Sequence, residues 1–161
     1  MWQTGLAYKI LPTAVGPDKV KDVELGKYPG MMELPVQSVV RRAAVGKDGV
    51  LRCEGFAWSG GGRGIQRVDV SVDGGATWAE ATLGEGKDQH PNRSWAWTFW
   101  TCEINVSDVN VERAVCKAVD VAGNSQPRDG KEVWNVRGLG NNSWHWGRVE
   151  REDEWDTSVF G

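Results

Sequence analysis

Five side chains in this sequence have the chemistry of soft metal ligands, nucleophiles or bases: Cys53, Cys102, Cys116, His90 and His145. A zinc site needs about four such ligands placed close together. The cysteines form no CxxC pair and the two histidines stand far apart, so no metal site is expected. No serine sits on a nucleophile turn with His and Asp partners, and no histidine stands near a cysteine. The carboxylates fall mainly on turns and in the acidic stretch Glu150, Glu152, Asp153, Glu154 and Asp156, without an acid/base pair. A chain catalytic on its own is therefore not expected. The bland expectation for the cysteines is buried free thiols in a reducing compartment. The alternative is a Cys53–Cys116 bridge between two sheets, as in immunoglobulin domains.

The loop Gly60-Gly61-Gly62-Arg63-Gly64 has the glycines of a phosphate cradle. It lacks the Gly-Lys-Ser/Thr ending and precedes a strand rather than a helix, so it reads as a permissive turn. Ser71-Val-Asp73-Gly-Gly75-Ala-Thr77-Trp78 matches the Asp box of sialidase-like propellers. One copy in so short a chain cannot make a propeller of about four blades or more. An Asp capping a Gly-rich hairpin explains it. Ten tryptophans invite another chemistry, the stacking of sugars on exposed indoles. The competing assignment places Trp95 and Trp97 in the core or at a protein interface, where each ring buries a large area.

The elements that must position these residues are strands. Val68, Val70 and Val72 alternate with Asp69, Ser71 and Asp73, and Asp73-Gly74-Gly75 supplies a tight hairpin, with Thr77 and Trp78 opening the return strand. A strand from Gly49 ends at Trp58. Trp95, Trp97 and Phe99 point one way while Ala96, Thr98 and Trp100 point the other. Ala114 to Asp120 alternates and turns at Ala122-Gly123-Asn124. Val133–Val136 and Trp144–Val149 complete the set. About seven short strands with regular turns predict an all-β, immunoglobulin-like antiparallel sandwich.

The 161 residues suit one domain with its own core, and 40% hydrophobic with 25% charged residues is a globular balance. A net charge of −3 and a pI near 5.4 exclude a generally basic nucleic-acid surface. A mean hydropathy of −0.47, with no apolar run of about 18 residues, predicts no membrane span. Three zones are expected: an irregular stretch 1–33 broken by Pro12, Gly16, Pro17, Gly26, Pro29 and Gly30; a sandwich 34–149; and an acidic tail 150–161, solvated and mobile.

Many separate strings then resemble one family in order. Glu33-Leu-Pro35-Val-Gln-Ser38, Gly55-Phe-Ala-Trp58-Ser-Gly-Gly-Gly-Arg63 and Val68-Asp-Val-Ser-Val-Asp73-Gly-Gly75 begin the series. Trp95-Ala-Trp97, Cys116-Lys-Ala-Val-Asp120, Gln126-Pro127, Trp134-Asn-Val-Arg137-Gly138 and Asn142-Ser-Trp144-His145 continue it. Together they are similar to the C-terminal dimerisation domain of sulfite oxidase, a molybdenum-cofactor enzyme related to plant nitrate reductase. The resemblance implies an immunoglobulin-like (E-set) fold, a homodimer, and a preceding molybdenum-cofactor domain whose tail end survives here as Trp2-Gln3 and Tyr8-Lys9. It implies that Arg137 is lent to the pocket for the sulfite or sulfate anion, and that Tyr8 corresponds to a tyrosine lining that pocket. Near Tyr8 the spacing departs by about one residue, and Gly5, Leu6 and Ala7 replace polar residues. A planar guanidinium suits an oxyanion with two oxygens to grip.

The cofactor-binding domain, its molybdenum-ligating cysteine and the haem domain of the family have no counterpart in the sequence. Trp146-Gly147 replaces a more usual Arg-Val pair. The expectation is a module that is not catalytic alone and binds no cofactor itself, with molybdopterin-bound molybdenum in the complete enzyme. It would be a fragment or a subunit with a separate catalytic partner. The family's compartments are the mitochondrial intermembrane space, the peroxisome and the periplasm, and nothing in the chain chooses among them. The alternative is a carbohydrate-binding sandwich using exposed tryptophans.

Overall fold

The structure is a computed structural model and describes residues 5–107 and 110–151. Trp2-Gln3 and the acidic residues from Glu152 onward lie outside the described residues. Two sheets face each other in an immunoglobulin-like antiparallel β-sandwich. The first sheet is built from β1 (Gln37–Val45), β2 (Val50–Trp58), β5 (Thr82–Leu83), β6 (Thr98–Asn105) and β9 (Glu150–Arg151), in the order β5-β6-β2-β1-β9. The second holds β3 (Ile65–Ser71), β4 (Ala79–Glu80), β7 (Arg113–Asp120) and β8 (His145–Arg148), in the order β4-β3-β7-β8.

Alternation carries the core. Leu51, Cys53 and Ala57 of β2, Val68 and Val70 of β3, Trp100 and Cys102 of β6, and Ala114, Cys116 and Ala118 of β7 are buried between the sheets. Trp100 is the largest, only 1% exposed, and it lies against Gly55 of the neighbouring strand. The register pairs Gly55 directly with Trp100, so a residue without a side chain makes room for the largest one.

The hairpin at Asp73 is as its chemistry requires. Its carboxylate accepts from Ala76 N–H at 2.9 Å, Thr77 N–H at 2.9 Å and Thr77 Oγ1–H at 2.6 Å, and Ser71 Oγ donates to it at 2.7 Å. Those hydrogen bonds, the Thr77 hydroxyl first, hold the Asp73 carboxyl well below the usual range. The return strand is shorter than expected. Thr77 and Trp78 belong to the turn, and β4 starts at Ala79. After two residues the chain crosses at Ala81 to β5 in the other sheet.

One further expectation is corrected and another is narrowed. Val133–Val136 is a turn and not a strand, because the Asn135 side chain engages its own loop and offers the backbone an alternative to a ladder. Trp95 and Trp97 precede β6 in a loop and are 62% and 51% exposed, so of the two places expected for them, core or protein interface, the core is excluded. At the other end, Glu150 and Arg151 pair in parallel with Ala44 and Val45, so the chain is still tied to the sheet where a free tail was expected.

Candidate functional site

The irregular stretch before the sandwich folds back on itself. Lys9 bridges Gly30, Ile10 N–H donates to Pro29 C=O at 3.3 Å, and Met31 N–H donates to Tyr8 C=O at 2.7 Å. Lys9 Nζ donates to Tyr28 C=O at 2.7 Å, and Leu11 is buried. Tyr8 sits at φ +52°, a left-handed conformation that costs a residue with a Cβ and needs surrounding structure to hold it. The paired backbone on either side supplies that hold, and the Tyr8 ring is left 41% exposed.

Arg137 stands on the long connection between β7 and β8. Three buried side-chain amides position that connection. Gln126 accepts from Ser38 Oγ at 2.6 Å and Ala118 N–H at 2.9 Å, and donates to Asn142 and Ser143 C=O at 3.0 and 3.1 Å. Asn142 Nδ2 donates to Val36 C=O at 3.0 Å. Asn135 Nδ2 donates to Leu139 C=O at 2.7 Å, closing the turn in which Gly138 takes φ +65°. Arg137 Nη1 donates to Leu6 C=O at 3.0 Å across a sequence separation of 131 residues. The fold thus brings the two expected site residues to one edge of the molecule. The guanidinium touches backbone two residues ahead of Tyr8.

A second network joins this edge to the sandwich. Asp120, fully buried at the end of β7, accepts from Ser59 Oγ at 2.8 Å, Arg63 Nε at 3.0 Å and Asn124 Nδ2 at 2.9 Å. Burial alone would raise its pKa, but the hydrogen bonds from Asn124, Ser59 and backbone N–H groups win and hold it low. Arg63 also reaches Glu33 at 2.6 Å, tying the N-terminal stretch to the glycine loop. Sequence reading treated that loop as a permissive turn and missed this network. The partners are up to 61 positions apart, so no local spacing announces them. Between the N-terminal stretch and the β7–β8 connection lies an open cleft of about 870 Å³, bordered by Ile10, Glu33, Arg63, Gln126, Glu132 and Asn135.

The tryptophans expected to be chemically interesting form a different surface. Phe56 and Trp97 have ring centroids 4.1 Å apart, and with Leu34, Trp58 and Trp95 they line an apolar groove of about 360 Å³. Gln89 holds the Trp95–Trp97 segment by exchanging hydrogen bonds with Ala96, donating at 2.9 Å and accepting at 2.8 Å.

All three cysteines are free and buried. Cys53 is paired in register with Cys102 on the adjacent strand, whereas Cys116 lies on the opposite sheet and accepts from Ser38 Oγ at 3.2 Å. The inter-sheet Cys53–Cys116 bridge is therefore not formed. The neighbouring Cys102 thiol and burial push Cys53 up, and burial pushes Cys116 up to about 12. Such thiols stay protonated, and metal ligation needs thiolate. Among the described residues no three His, Cys, Asp or Glu side chains cluster as metal ligands. Cys53 and Cys116 therefore do not suit a molybdenum centre, and Cys102, which the hydrogen bond with Cys53 holds below the usual thiol value, is itself buried.

His145 introduces a pH dependence. Its Nδ1 accepts from Val40 N–H at 3.2 Å, and burial lowers its pKa below the ordinary value of 6.5. The folded chain then binds fewer protons than the unfolded chain as pH falls through about 6.5. Stability should therefore fall with pH in that window. Urea midpoints measured from about pH 8 to pH 5.5 should decline, and the decline should flatten in His145→Gln. An equal slope in both proteins would remove His145 as its cause.

Residues 29–152 match the sequence profile of the Mo-co oxidoreductase dimerisation domain. The chain is 44% identical over 127 residues to the mitochondrial sulfite oxidase of Rattus norvegicus, covering 76% of this chain and 23% of that protein. It is 40% identical over 147 residues to the sulfite oxidase of Arabidopsis thaliana, covering 86% and 36%. Against inducible nitrate reductase [NADH] 1 of Glycine max it is 44% identical over 92 residues, 56% of this chain and 10% of that protein. The chain thus spans between a tenth and about a third of the length of these relatives.

Proposed function

This chain belongs to the family of Mo-co oxidoreductase dimerisation domains, and from that premise we propose that it is the dimerisation module of a sulfite-oxidase-type molybdenum oxidoreductase. The observation that carries the reading is the continuous match of the sandwich to that family, from residue 29 to residue 152. The complete enzyme converts sulfite to sulfate, and the molybdenum cofactor belongs to a domain other than this one. On this reading the stretch 1–33 is the tail end of that domain and a linker, the linker's last residues already within the family match, and its described part is tied to the sandwich through Glu33–Arg63 and Leu6–Arg137. In this reading Arg137, which bonds the backbone two residues ahead of Tyr8, and Tyr8 itself serve the anion pocket. A guanidinium there holds the charge and orientation of an oxyanion, while the rigid Asn135 turn keeps the loop from relaxing away.

Self-association follows from the same reading. A two-fold interface lets one surface serve both partners, and an obligate one buries roughly 2,000 Å² or more in total. Light scattering at micromolar concentration should report about twice the 17.7 kDa monomer mass. A clean monomer across that range would overturn the dimer.

One observation favours the second reading, a carbohydrate-binding module: Trp95 and Trp97 are exposed beside an apolar groove. Strong, saturable quenching of tryptophan fluorescence by glycans, abolished in Trp95→Ala, would establish it. An unchanged spectrum would discard it.

A further inference from the structure

Cys53 and Cys102 are nucleophiles that the proposed function leaves unused. They are direct partners in the antiparallel register of β2 and β6, and both lie in the core between the sheets, so their side chains leave the same face of the larger sheet. Cys53 Sγ donates to Cys102 C=O at 3.6 Å, which holds the two residues against each other. Directly opposed residues have Cβ atoms about 4.5–5.5 Å apart, and a disulfide draws them to about 3.8 Å. An approach of roughly 1 Å therefore joins the two sulfurs. The resulting bond is strained, and strained disulfides are the ones readily reduced again. Cys116 is placed otherwise. It lies on the opposite sheet, is fully buried, and its sulfur accepts from Ser38 Oγ at 3.2 Å.

The two thiols are also unequal, as an attacking and a resolving thiol must be. Cys102 keeps 6% exposure beside the point where the chain crosses between the sheets, with its sulfur 4.0 Å from Glu80 C=O. The hydrogen bond with Cys53 lowers the Cys102 pKa, although burial and nearby Glu103 oppose it. The same contact raises that of Cys53, which stays a thiol. So small an opening admits an oxidant little larger than water and excludes a peptide-sized disulfide. We propose that Cys53 and Cys102 are a redox modification site, at which hydrogen peroxide joins them in a reversible disulfide between β2 and β6. The Cys102 sulfur attacks one peroxide oxygen: an S–O bond forms, the O–O bond breaks, and the departing hydroxide takes up the Cys102 proton as water. The Cys53 sulfur then attacks the Cys102 sulfenic acid. The S–S bond forms, the S–O bond breaks, and the hydroxide leaves with the Cys53 proton as a second water. Two electrons pass from the thiols to the peroxide, and a dithiol reductant returns them.

The test uses the folded full chain, fully reduced, treated with a small excess of hydrogen peroxide and then alkylated in denaturant. Trypsin places each cysteine on its own peptide: Cys53 on residues 53–63, Cys102 on 94–113 and Cys116 on 114–117. Alkylated cysteines should fall from three to one, with 53–63 linked to 94–113 and the link undone by dithiothreitol. Cys116→Ala should keep the link, and Cys102→Ala should leave Cys53 alkylated. The mapping in the parent chain stands whether or not the Cys102→Ala chain folds. Three alkylated peptides from the peroxide-treated chain would overturn the proposal. So would a link from Cys53 to Cys116, a link between two copies, or Cys102 carried on to the sulfinic acid with Cys53 still alkylated. A link that forms only in urea would overturn it as well, because the native register would then play no part.

Discussion

Trp100→Ala should lower the stability of the full chain by about 3–5 kcal/mol, the range for emptying a buried tryptophan site. For a chain of this size each kcal/mol moves Tm by about 2–4 °C, so the expected loss is roughly 6–20 °C by calorimetry. The reason lies in the pairing of Trp100 with Gly55 in the middle of the larger sheet. A Cβ added at Gly55 would stand 1.9 Å from Val39 C=O and 2.4 Å from the Trp100 ring. Gly55→Ala is therefore also destabilising, by about 1–3 kcal/mol or more, as overpacking generally is. The double variant separates the two causes. Removing the indole relieves one clash and leaves the backbone carbonyl in place, so Gly55→Ala should stay costly in the Trp100→Ala background. Trp100→Phe should be milder than area alone suggests, because Trp100 Nε1 is buried without a hydrogen-bond partner among the described residues. A Tm for Trp100→Ala within a degree or two of the parent would contradict this account of the core.

Arg137→Met should reduce kcat/KM for sulfite about 10- to 150-fold in a complete enzyme carrying this domain. The substitution removes a charged hydrogen-bond donor worth about 1.5–3 kcal/mol, and about 1.36 kcal/mol is a factor of ten. A contact shared by ground state and transition state should appear mainly as a raised KM. Arg137→Lys should recover part of the loss, since an ammonium keeps the charge and loses the planar fork. The competing role is structural, because Arg137 donates to Leu6 C=O and so helps hold the N-terminal stretch. That role predicts lowered stability with intact steady-state kinetics. Measuring both on the same protein decides between them. Unchanged kcat/KM in a folded Arg137→Met enzyme would leave this arginine as a clamp and nothing more.

Much of the sandwich was legible because its signals are local. Val68 and Val70 alternate with polar neighbours, and Asp73 is followed by two glycines that accept φ of +74° and +91°. The period of the side chains and the chemistry of the turn are written within a few residues, so strand and hairpin follow from sequence. The same reasoning failed at Val133–Val136. Those residues have strand-forming composition, but the edge beside β7 belongs to β8, and Asn135 spends its amide on its own loop. It left Trp95 and Trp97 between core and interface, and only the structure excludes the core, because the segment leaves the sheet although its alternation with buried Thr98 and Trp100 is real.

Fold class, the Asp73 turn and the family were all readable from the chain's own letters, since each rests on residue types at short spacing or on strings in a fixed order along the chain. What lies beside what came from the folded chain alone. It set Arg137 against Leu6, joined Asp120 to Ser59 and Arg63, paired Cys53 with Cys102 rather than Cys116, and placed Arg113 opposite Arg148. Those contacts depend on which strands become neighbours and in what register. Register is settled by burying the alternating apolar faces of both sheets together, a condition on the whole chain that no single segment carries.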